Sequence, residues 1–199
     1  MTPPSDPDAI AAYCATIFDA HQAAFSATRS ALQHRLPALV DIAARTIGKG
    51  GKILLFGNGG SASDAQHIAA ELVGRLAADR APIPAIALTT DSSALTAIAN
   101  DYGFEAVFAR QIAALGRPGD LAIGISTSGS SPNILAGLSA AKTGGMVAAG
   151  LSGRDGGAMT GLADPLLVIP DDDTARIQEM HILIGHILCG ALERRLGLL

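Results

Sequence analysis

The chain has 199 residues, of which 49% are hydrophobic and only 16% are charged, so its length fits one domain that buries about 70% of its unfolded surface. The formal net charge is −4 and no cluster of Lys and Arg occurs, which argues against nucleic acid as the main partner. No run of about 18 residues lacks polar or charged groups, which argues against a transmembrane helix and a membrane partner.

The N-terminus reads MTPPSDPDA and has neither a basic stretch nor an apolar core, so we expect no signal peptide. Cys14 and Cys189 are too few and too far apart for a disulfide framework or a zinc knuckle. Both features favour a reducing cytoplasm. The high apolar content is most simply explained by burial between subunits.

The first 50 residues are predicted to be helical. Apolar residues at helical spacing run from Pro7 to about Ser30, where Asp6 is a candidate cap and Pro7 occupies the first helical position. Pro37 opens a second helix over 38–47, which stops at a run of glycines. We therefore predict a single domain over 1–199, with N-terminal helices in 1–50 and an α/β core in 51–199.

Short apolar runs alternate with helical patterns from residue 52 onward. The predicted strands are 53–56, 85–88, 121–126, 147–151 and 166–169. The predicted helices are 63–77, 92–99, 105–115, 133–141, a short one at 158–162, and 174–196, capped by Asp173 or Thr174. This alternation predicts a three-layer α/β sandwich in which helices flank a five-stranded parallel sheet. Ligands of such sheets bind at the carboxyl ends of the strands.

A small-residue turn, Gly57 to Ser61, follows the first strand and precedes a helix. With Ala62 it matches the dinucleotide pattern G-x-G-x-x-A, but the acidic residue after the second strand, Asp91, lies about 30 residues on, where a Rossmann domain places it about 20 on. The alternative is a turn that needs small residues for packing or for close approach of a ligand.

A hydroxyl-rich loop, Ser126-Thr-Ser-Gly-Ser-Ser131, follows the third strand and precedes a helix opened by Pro132. Hydroxyls and free amides at a helix N-terminus form a cradle for an anion such as a phosphomonoester. The absence of lysine excludes a Walker loop. The other interpretation is a serine-rich loop with redundant helix caps.

Two histidine groups are candidates for acid–base chemistry or metal binding. His67 and Glu71 are four residues apart on one helical face. On the last helix, spacing alone does not choose between His181 and His186 as their partner, and Gln178 lies eight residues before His186. A surface pair of His and Glu at this spacing also occurs by chance.

Together these stretches resemble the sugar isomerase (SIS) domain and, more narrowly, the phosphoheptose isomerase family. The matching segments occur in order along nearly the whole chain: GNGGSASDAQHIAAELVGR (57–75), PAIALTTDSSALTAIANDYGFEAVFARQI (84–112), GDLAIGISTSGSS (119–131), GRDGGAM (153–159) and ARIQEMHILIGHILC (175–189). The resemblance implies the SIS fold, conversion of sedoheptulose 7-phosphate into an aldose through an enediol, and a homotetramer whose sites lie at subunit interfaces.

The resemblance also implies roles for individual residues. Glu71 and His186 match the base and the acid, which favours His186 over His181. One Zn²⁺ per subunit would be held by four ligands: His67, Glu71, Gln178 and His186. The substrate-binding positions that match are Asn58, Gly59, Gly60, Glu71, Arg75, Asn100, Asp101, Ser126, Thr127, Ser128, Ser131 and Gln178.

One departure from the family is Ser130, where the phosphate loop usually carries Asn. The chain also resembles a non-enzymatic branch of the fold that binds the bacterial replication initiator. That branch lacks the glutamate and the last histidine, and Glu71 and His186 are both present here. The resemblance further implies that the heptose product would feed lipopolysaccharide or another surface glycan.

Overall fold

The computed structural model describes residues 7–199 and consists of one five-stranded parallel sheet between two helical layers. The strands are β1 (Ile53–Gly57), β2 (Ala85–Ala87), β3 (Leu121–Ser126), β4 (Val147–Gly153) and β5 (Leu166–Ile169). Their order across the sheet is β2-β1-β3-β4-β5, and every pairing is parallel. The five predicted strands and the three-layer α/β class are therefore confirmed.

Seven helices accompany the sheet in the described part of the chain: α1 (Pro7–Leu32), α2 (Leu36–Gly48), α3 (Gly60–Val73), α4 (Ser92–Tyr102), α5 (Val107–Leu115), α6 (Pro132–Thr143) and α7 (Thr174–Arg195). Two short 3₁₀ turns lie at Phe104–Ala106 and Gly157–Met159. None of the helices between residues 7 and 199 is long and apolar enough to cross a membrane.

Strands β1 and β3, at the centre of the sheet, are buried along their whole length because helices cover both faces. Along β1, Ile53 and Leu55 belong to the core shared with α1, α2, α3 and α7. Leu54 and Phe56 belong to the core on the opposite face, shared with α5 and α6. The two-residue period of a strand thus divides one apolar run between two cores.

Several boundaries differ from the sequence-based ones. Helix α3 begins at Gly60, not at residue 63, because the amides of Ser61 and Ala62 already bond to the carbonyls of Asn58 and Gly59. It ends at Val73, four residues early. The short helix predicted at 158–162 is a single 3₁₀ turn, and β4 runs two residues further than predicted. Asp173 caps α7 by accepting a hydrogen bond from the Ala175 amide, as predicted, whereas the proposed cap Asp6 lies outside the described residues.

Candidate active site

The order of the strands creates a crevice at the carboxyl ends of β1 and β3. The chain leaves β1 toward one edge of the sheet and β3 toward the other, which is where ligands of open α/β sheets bind. Asn58, directly after β1, and Asn133, in the first turn of α6, exchange two amide hydrogen bonds of 2.8 Å. This pair joins the two segments that frame the crevice. Asn133 was not among the residues predicted from the sequence, although a polar residue in the first turn of a helix after a hydroxyl-rich loop was a usable signal.

The glycine turn after β1 needs glycine for two different reasons. Gly59 has a φ of +56°, a backbone conformation that side chains disfavour. A Cβ on Gly60 would lie only 2.5 Å from the amide nitrogen of the Gln178 side chain. The turn therefore serves close approach of a side chain from α7, which supports the packing interpretation over the dinucleotide one.

The hydroxyl-rich loop turns its serines toward one another. The Ser126 hydroxyl lies 3.1 Å from that of Ser131 and 3.4 Å from that of Ser128. Ser131 is the N-cap residue of α6, yet its side chain makes no capping hydrogen bond. The redundant-cap interpretation therefore fails for Ser131, and its hydroxyl stays at the positive end of the helix dipole, where it can donate to an anion.

His67, Glu71 and His186 come together where α3 and α7 lie side by side. The Nε2 atoms of the two histidines are 2.9 Å apart, and Nε2 of His67 lies 3.3 Å from Oε1 of Glu71. The three ligand atoms all lie within 4.8 Å of one another. The His67 side chain is 48% exposed and that of Glu71 is 22% exposed, so the cluster is open to a ligand.

The donor set of this cluster fits a Zn²⁺ ion. A tetrahedral site with metal–nitrogen bonds of about 2.0–2.1 Å separates its ligand atoms by about 3.3 Å, close to the spacings of 2.9 and 3.3 Å found here. Two imidazole nitrogens that face each other at this distance either share one proton or direct both lone pairs at a common cation. Two imidazoles and one carboxylate are typical zinc ligands.

Asp64, one turn before His67 on α3, lies next to this cluster and was not singled out from the sequence. Burial raises the pKa of the Asp64 carboxyl to about 6, and the neighbouring charge of His67 opposes that rise. Its Oδ2 atom is buried and has no hydrogen-bond partner within residues 7–199. Asp64 therefore adds a second carboxyl whose charge changes near neutral pH.

His181, the competitor of His186, is fully buried in the core beneath α7. Its Nε2 donates a hydrogen bond to the carbonyl of Ser152 at 3.1 Å, so the ring is a satisfied core histidine on that side. Burial lowers the pKa of His181 to about 4, and the hydrogen bond to Ser152 opposes this only in part. The structure thus resolves the choice that spacing left open, in favour of His186 as the partner of His67 and Glu71.

The buried neutral ring of His181 predicts a loss of stability in mild acid. The unfolded chain takes up a proton near pH 6.5 and the folded one only near pH 4, so unfolding becomes easier as pH falls through this window. The full effect is about 3 kcal/mol. We expect the free energy of unfolding of His181→Gln, measured in urea between pH 7 and pH 4, to fall less steeply than that of the wild type; parallel curves would contradict the assignment.

Four other predicted residues, Arg75, Asn100, Asp101 and Gln178, are not part of this cluster. Gln178 is held against Gly60, and about 12 Å of helix rise separates it from His186 along α7. Asn100 and Asp101 are exposed at the end of α4, where the amide of Asn100 donates to the carboxylate of Asp101 at 2.7 Å. Arg75 is exposed just beyond α3 and makes no hydrogen bond or ion pair within residues 7–199. One chain thus assembles three of the four predicted metal ligands.

Comparison with known proteins gives a consistent family assignment. The model of the SIS domain family matches residues 16–153. The phosphoheptose isomerase of Paramagnetospirillum magneticum is 59% identical over 173 residues, which cover 87% of this chain and 90% of that protein. The phosphoheptose isomerase of Helicobacter pylori is 56% identical over 177 residues, which cover 89% of this chain and 92% of that protein.

Solved structures agree with the sequence comparisons over nearly the full length. The phosphoheptose isomerase of Neisseria gonorrhoeae superimposes with a TM-score of 0.86 at 41% identity and covers 93% of this chain and 99% of its own. That of Francisella tularensis superimposes with a TM-score of 0.88 at 36% identity and covers 96% and 100%. With the cluster of His67, Glu71 and His186 in place, the chain belongs to the phosphoheptose isomerase family of SIS-domain proteins.

Proposed function

We propose that the chain is an aldose–ketose isomerase that converts D-sedoheptulose 7-phosphate into D-glycero-D-manno-heptose 7-phosphate. The observation that carries the proposal is the meeting of a carboxylate and two imidazoles at the surface where α3 and α7 lie side by side. The relatives described above support the reaction class, since they are isomerases at more than half identity. Nothing in those relatives supports the alternative, a regulator that binds the replication initiator.

The reaction moves a proton between C1 and C2 through a cis-enediol. Glu71 takes a proton from C1 and delivers a proton to C2, while His186 donates a proton to the C2 carbonyl oxygen as negative charge develops there and takes back the proton of the C1 hydroxyl as C1 becomes the aldehyde. His67 lies between the two groups, with its Nε2 2.9 Å from Nε2 of His186 and 3.3 Å from Oε1 of Glu71, and the three atoms lie within 4.8 Å of one another. Both groups can therefore act on adjacent atoms of one open-chain sugar.

The hydroxyl-rich loop would hold the phosphate at the other end of the sugar. Ser126, Thr127, Ser128 and Ser131 offer hydroxyl donors, and the first amides of α6 add the field of the helix dipole. Binding energy from this remote group positions the reacting carbons. Asn58, Gly59, Gly60, Arg75, Asn100, Asp101 and Gln178 are proposed to complete the pocket.

A Zn²⁺ ion, one per subunit, would be held by His67, Glu71 and His186, with Gln178 as the proposed fourth ligand. When bound, such an ion supplies Lewis-acid stabilisation of the sugar oxygens. A carboxylate that binds zinc tightly is a poorer base. Glu71 therefore has to act as metal ligand and base at once, or alternate between the two roles. Gln178 lies at the opposite end of α7's contact with α3 and has to be redirected, or supplied by a neighbouring subunit, to reach the other three ligands.

We further propose a homotetramer with sites shared between subunits. Glu71 lies about 16 Å of helix rise from the start of α3, whereas the hydroxyl-rich loop follows β3, which pairs with β1 just before that start. If the hydroxyl-rich loop of one subunit faces the cluster of His67, Glu71 and His186 in another subunit, one sugar phosphate can reach both. Exposed apolar side chains on α1, among them Tyr13 and Phe18, and an apolar groove of about 570 Å³ between α2 and α7 offer surface for such contacts. A mass near the 20.1 kDa of one chain in light scattering would contradict the proposal.

The proposed setting is the cytoplasm, where the product would enter nucleotide-heptose synthesis as its first intermediate and so lead to lipopolysaccharide. Cys14 and Cys189 are both free, which suits a reducing compartment. Fractionation of cells that produce the protein, with detection by antibody, tests the compartment. Recovery in an oxidising compartment would contradict it.

Loss of two loop hydroxyls should weaken binding of the phosphate. We expect Ser128→Ala with Ser131→Ala to raise KM for sedoheptulose 7-phosphate at least about 10-fold, because each hydrogen bond to a charged group contributes about 1.5–3 kcal/mol. Binding of sedoheptulose without phosphate should change little in isothermal titration. Ser139→Ala, an exposed serine on α6, is the matched control. An equal loss for both sugars would show that the loop does not bind phosphate.

A coupled assay of the purified protein on sedoheptulose 7-phosphate tests the function itself. We expect formation of the aldose, its loss after treatment with a chelator, and its recovery when Zn²⁺ is restored. Full activity after complete removal of the metal would support the isomerase assignment and contradict the proposal that Zn²⁺ is required. Absence of any aldose from metal-loaded protein would overturn the isomerase assignment.

A further inference from the structure

A buried ion pair connects the loop after α3 to the last turns of α7. The Nε atom of Arg80 donates to Oε1 of Glu193 at 2.9 Å, and each side chain is only 1% exposed. Burying two charges costs several kcal/mol per ion, so such a pair is weak evidence for a stabilising role. The second oxygen of Glu193, Oε2, is buried and has no hydrogen-bond partner among residues 7–199. The position of the pair therefore calls for a reason other than stability.

The guanidinium of Arg80 binds the end of the helix that carries Glu71. It donates to the backbone carbonyls of Glu71 at 2.7 Å, Leu72 at 2.8 Å and Gly74 at 3.0 Å. The last carbonyls of a helix lack partners within the helix, and a positive charge is favourable there. Arg80 thus holds the backbone of Glu71 itself, while the Glu71 side chain faces His67.

Helices α3 and α7 run side by side in the same direction, and three contacts define their register. Gln178 lies against Gly60 at the start, and a Cβ on Gly185 would come within 2.6 Å of the Ile68 side chain in the middle. The hydrogen bond from Arg80 to Glu193 is the third contact, at the C-terminal ends of the two helices. His67 and His186 adjoin the middle contact, next to Ile68 and Gly185, and Glu71 lies between that contact and the third one.

We propose that Arg80 and Glu193 are positioning residues for the cluster of His67, Glu71 and His186. Arg80 binds the carbonyl of Glu71, and Glu193 lies two helical turns after His186 on α7. The hydrogen bonds of Arg80 to Glu193 and to the carbonyl of Glu71 therefore oppose rotation of the end of α3 and sliding of α3 along α7. Either movement would separate the three ligand atoms. This inference rests on the proposed function of the cluster, and no contact of Arg80 or Glu193 with substrate is invoked.

The test separates the geometry of the site from the stability of the fold. Arg80→Met with Glu193→Leu replaces the pair by apolar side chains of similar size, a change that often leaves stability unaltered. We expect its Tm to fall less than that of Glu193→Gln, although the carbonyls of Glu71, Leu72 and Gly74 lose their donor. The affinity of the metal-free protein for Zn²⁺, measured against a chromophoric chelator, should fall about 10- to 100-fold. The value of kcat should fall with little change in KM.

Glu193→Gln should show the opposite pattern. It keeps an oxygen that accepts from Nε of Arg80 but leaves the buried guanidinium without a charged partner, so we expect a lower Tm with Zn²⁺ affinity close to that of the wild type. Lys142→Gln removes an exposed charge from the last turn of α6 and serves as the control, with affinity and kcat unchanged. If the apolar double variant does not fold, Arg80→Lys takes its place. Lysine keeps the positive charge but lacks the several N–H donors of the guanidinium, so we expect the same loss of Zn²⁺ affinity.

Zn²⁺ affinity that follows Tm across all these variants would overturn the inference, because a merely structural pair acts only through stability. Wild-type affinity and kcat in the folded double variant would overturn it as well. A wild-type protein that isomerises the sugar yet binds no Zn²⁺ contradicts the metal part of the proposed function instead. In that case kcat of the double variant tests the inference, and we expect it to be lower than kcat of the wild type.

Discussion

Replacement of Glu71 by glutamine should lower kcat on sedoheptulose 7-phosphate by about 10²- to 10⁴-fold, the usual contribution of a general base. The amide has the shape of the carboxylate but does not accept the proton from C1. Its loss of charge also removes one candidate metal ligand from a cluster whose ligand atoms lie within 4.8 Å of one another. Stopped assays with metal-loaded protein measure the effect.

Binding of the sugar phosphate should survive this change, because the hydroxyl-rich loop before α6 is untouched. Titration calorimetry of Glu71→Gln with substrate is therefore expected to give a dissociation constant near that of the wild type. Glu105→Gln, an exposed glutamate in the 3₁₀ turn Phe104–Ala106, is the matched control and should retain full kcat. Near-normal turnover by Glu71→Gln would remove Glu71 from the role of base.

Replacement of His186 by glutamine should reduce kcat by about 10²- to 10⁴-fold as well, since the proton for the carbonyl oxygen then has no donor. The 2.9 Å contact between His67 and His186 is lost too, so the affinity for Zn²⁺ should fall with it. Steady-state kinetics and a chelator competition measure the two effects separately.

His181→Gln is the matched control on the same helix. His181 is buried and bonded to Ser152, so its loss should lower stability and leave kcat of the folded protein close to wild type. If the two histidine variants lost activity equally at a temperature where both are folded, the assignment of His186 as the acid would be wrong.

The architecture was predictable because local signals agreed with one another. The apolar run of β1, the glycine turn and the period of α3 each indicated the same βα unit, and all five strands lie where apolar runs predicted them. Boundaries were less predictable. The early start of α3 depends on backbone bonds in the turn, and the short 3₁₀ turn Gly157–Met159 depends on contact between Gly157 and the phosphate loop.

The site was predictable in part. Spacing paired His67 with Glu71, but only burial distinguishes His181 from His186, and burial depends on how α7 packs against the sheet. The bond between Asn58 and Asn133 and the bond between Arg80 and Glu193 join residues 75 and 113 positions apart. A local signal can single out one member, such as Asn133, but no local pattern shows which distant residue it pairs with. The roles of Arg75, Asn100, Asp101 and Gln178 remain predictions, because no hydrogen bond or ion pair within residues 7–199 of one chain joins them to the cluster of His67, Glu71 and His186.

Isomerisation in D₂O tests the central claim most directly, because the claim is that Glu71 carries a proton between two adjacent carbons. A carboxyl group exchanges its proton with solvent, so the account predicts deuterium at C2 of the heptose 7-phosphate made by the wild type, detected by NMR. Glu71→Gln should leave the recovered substrate unlabelled. Full turnover by the wild type with complete retention of the original hydrogen at the reacting carbons would contradict the account.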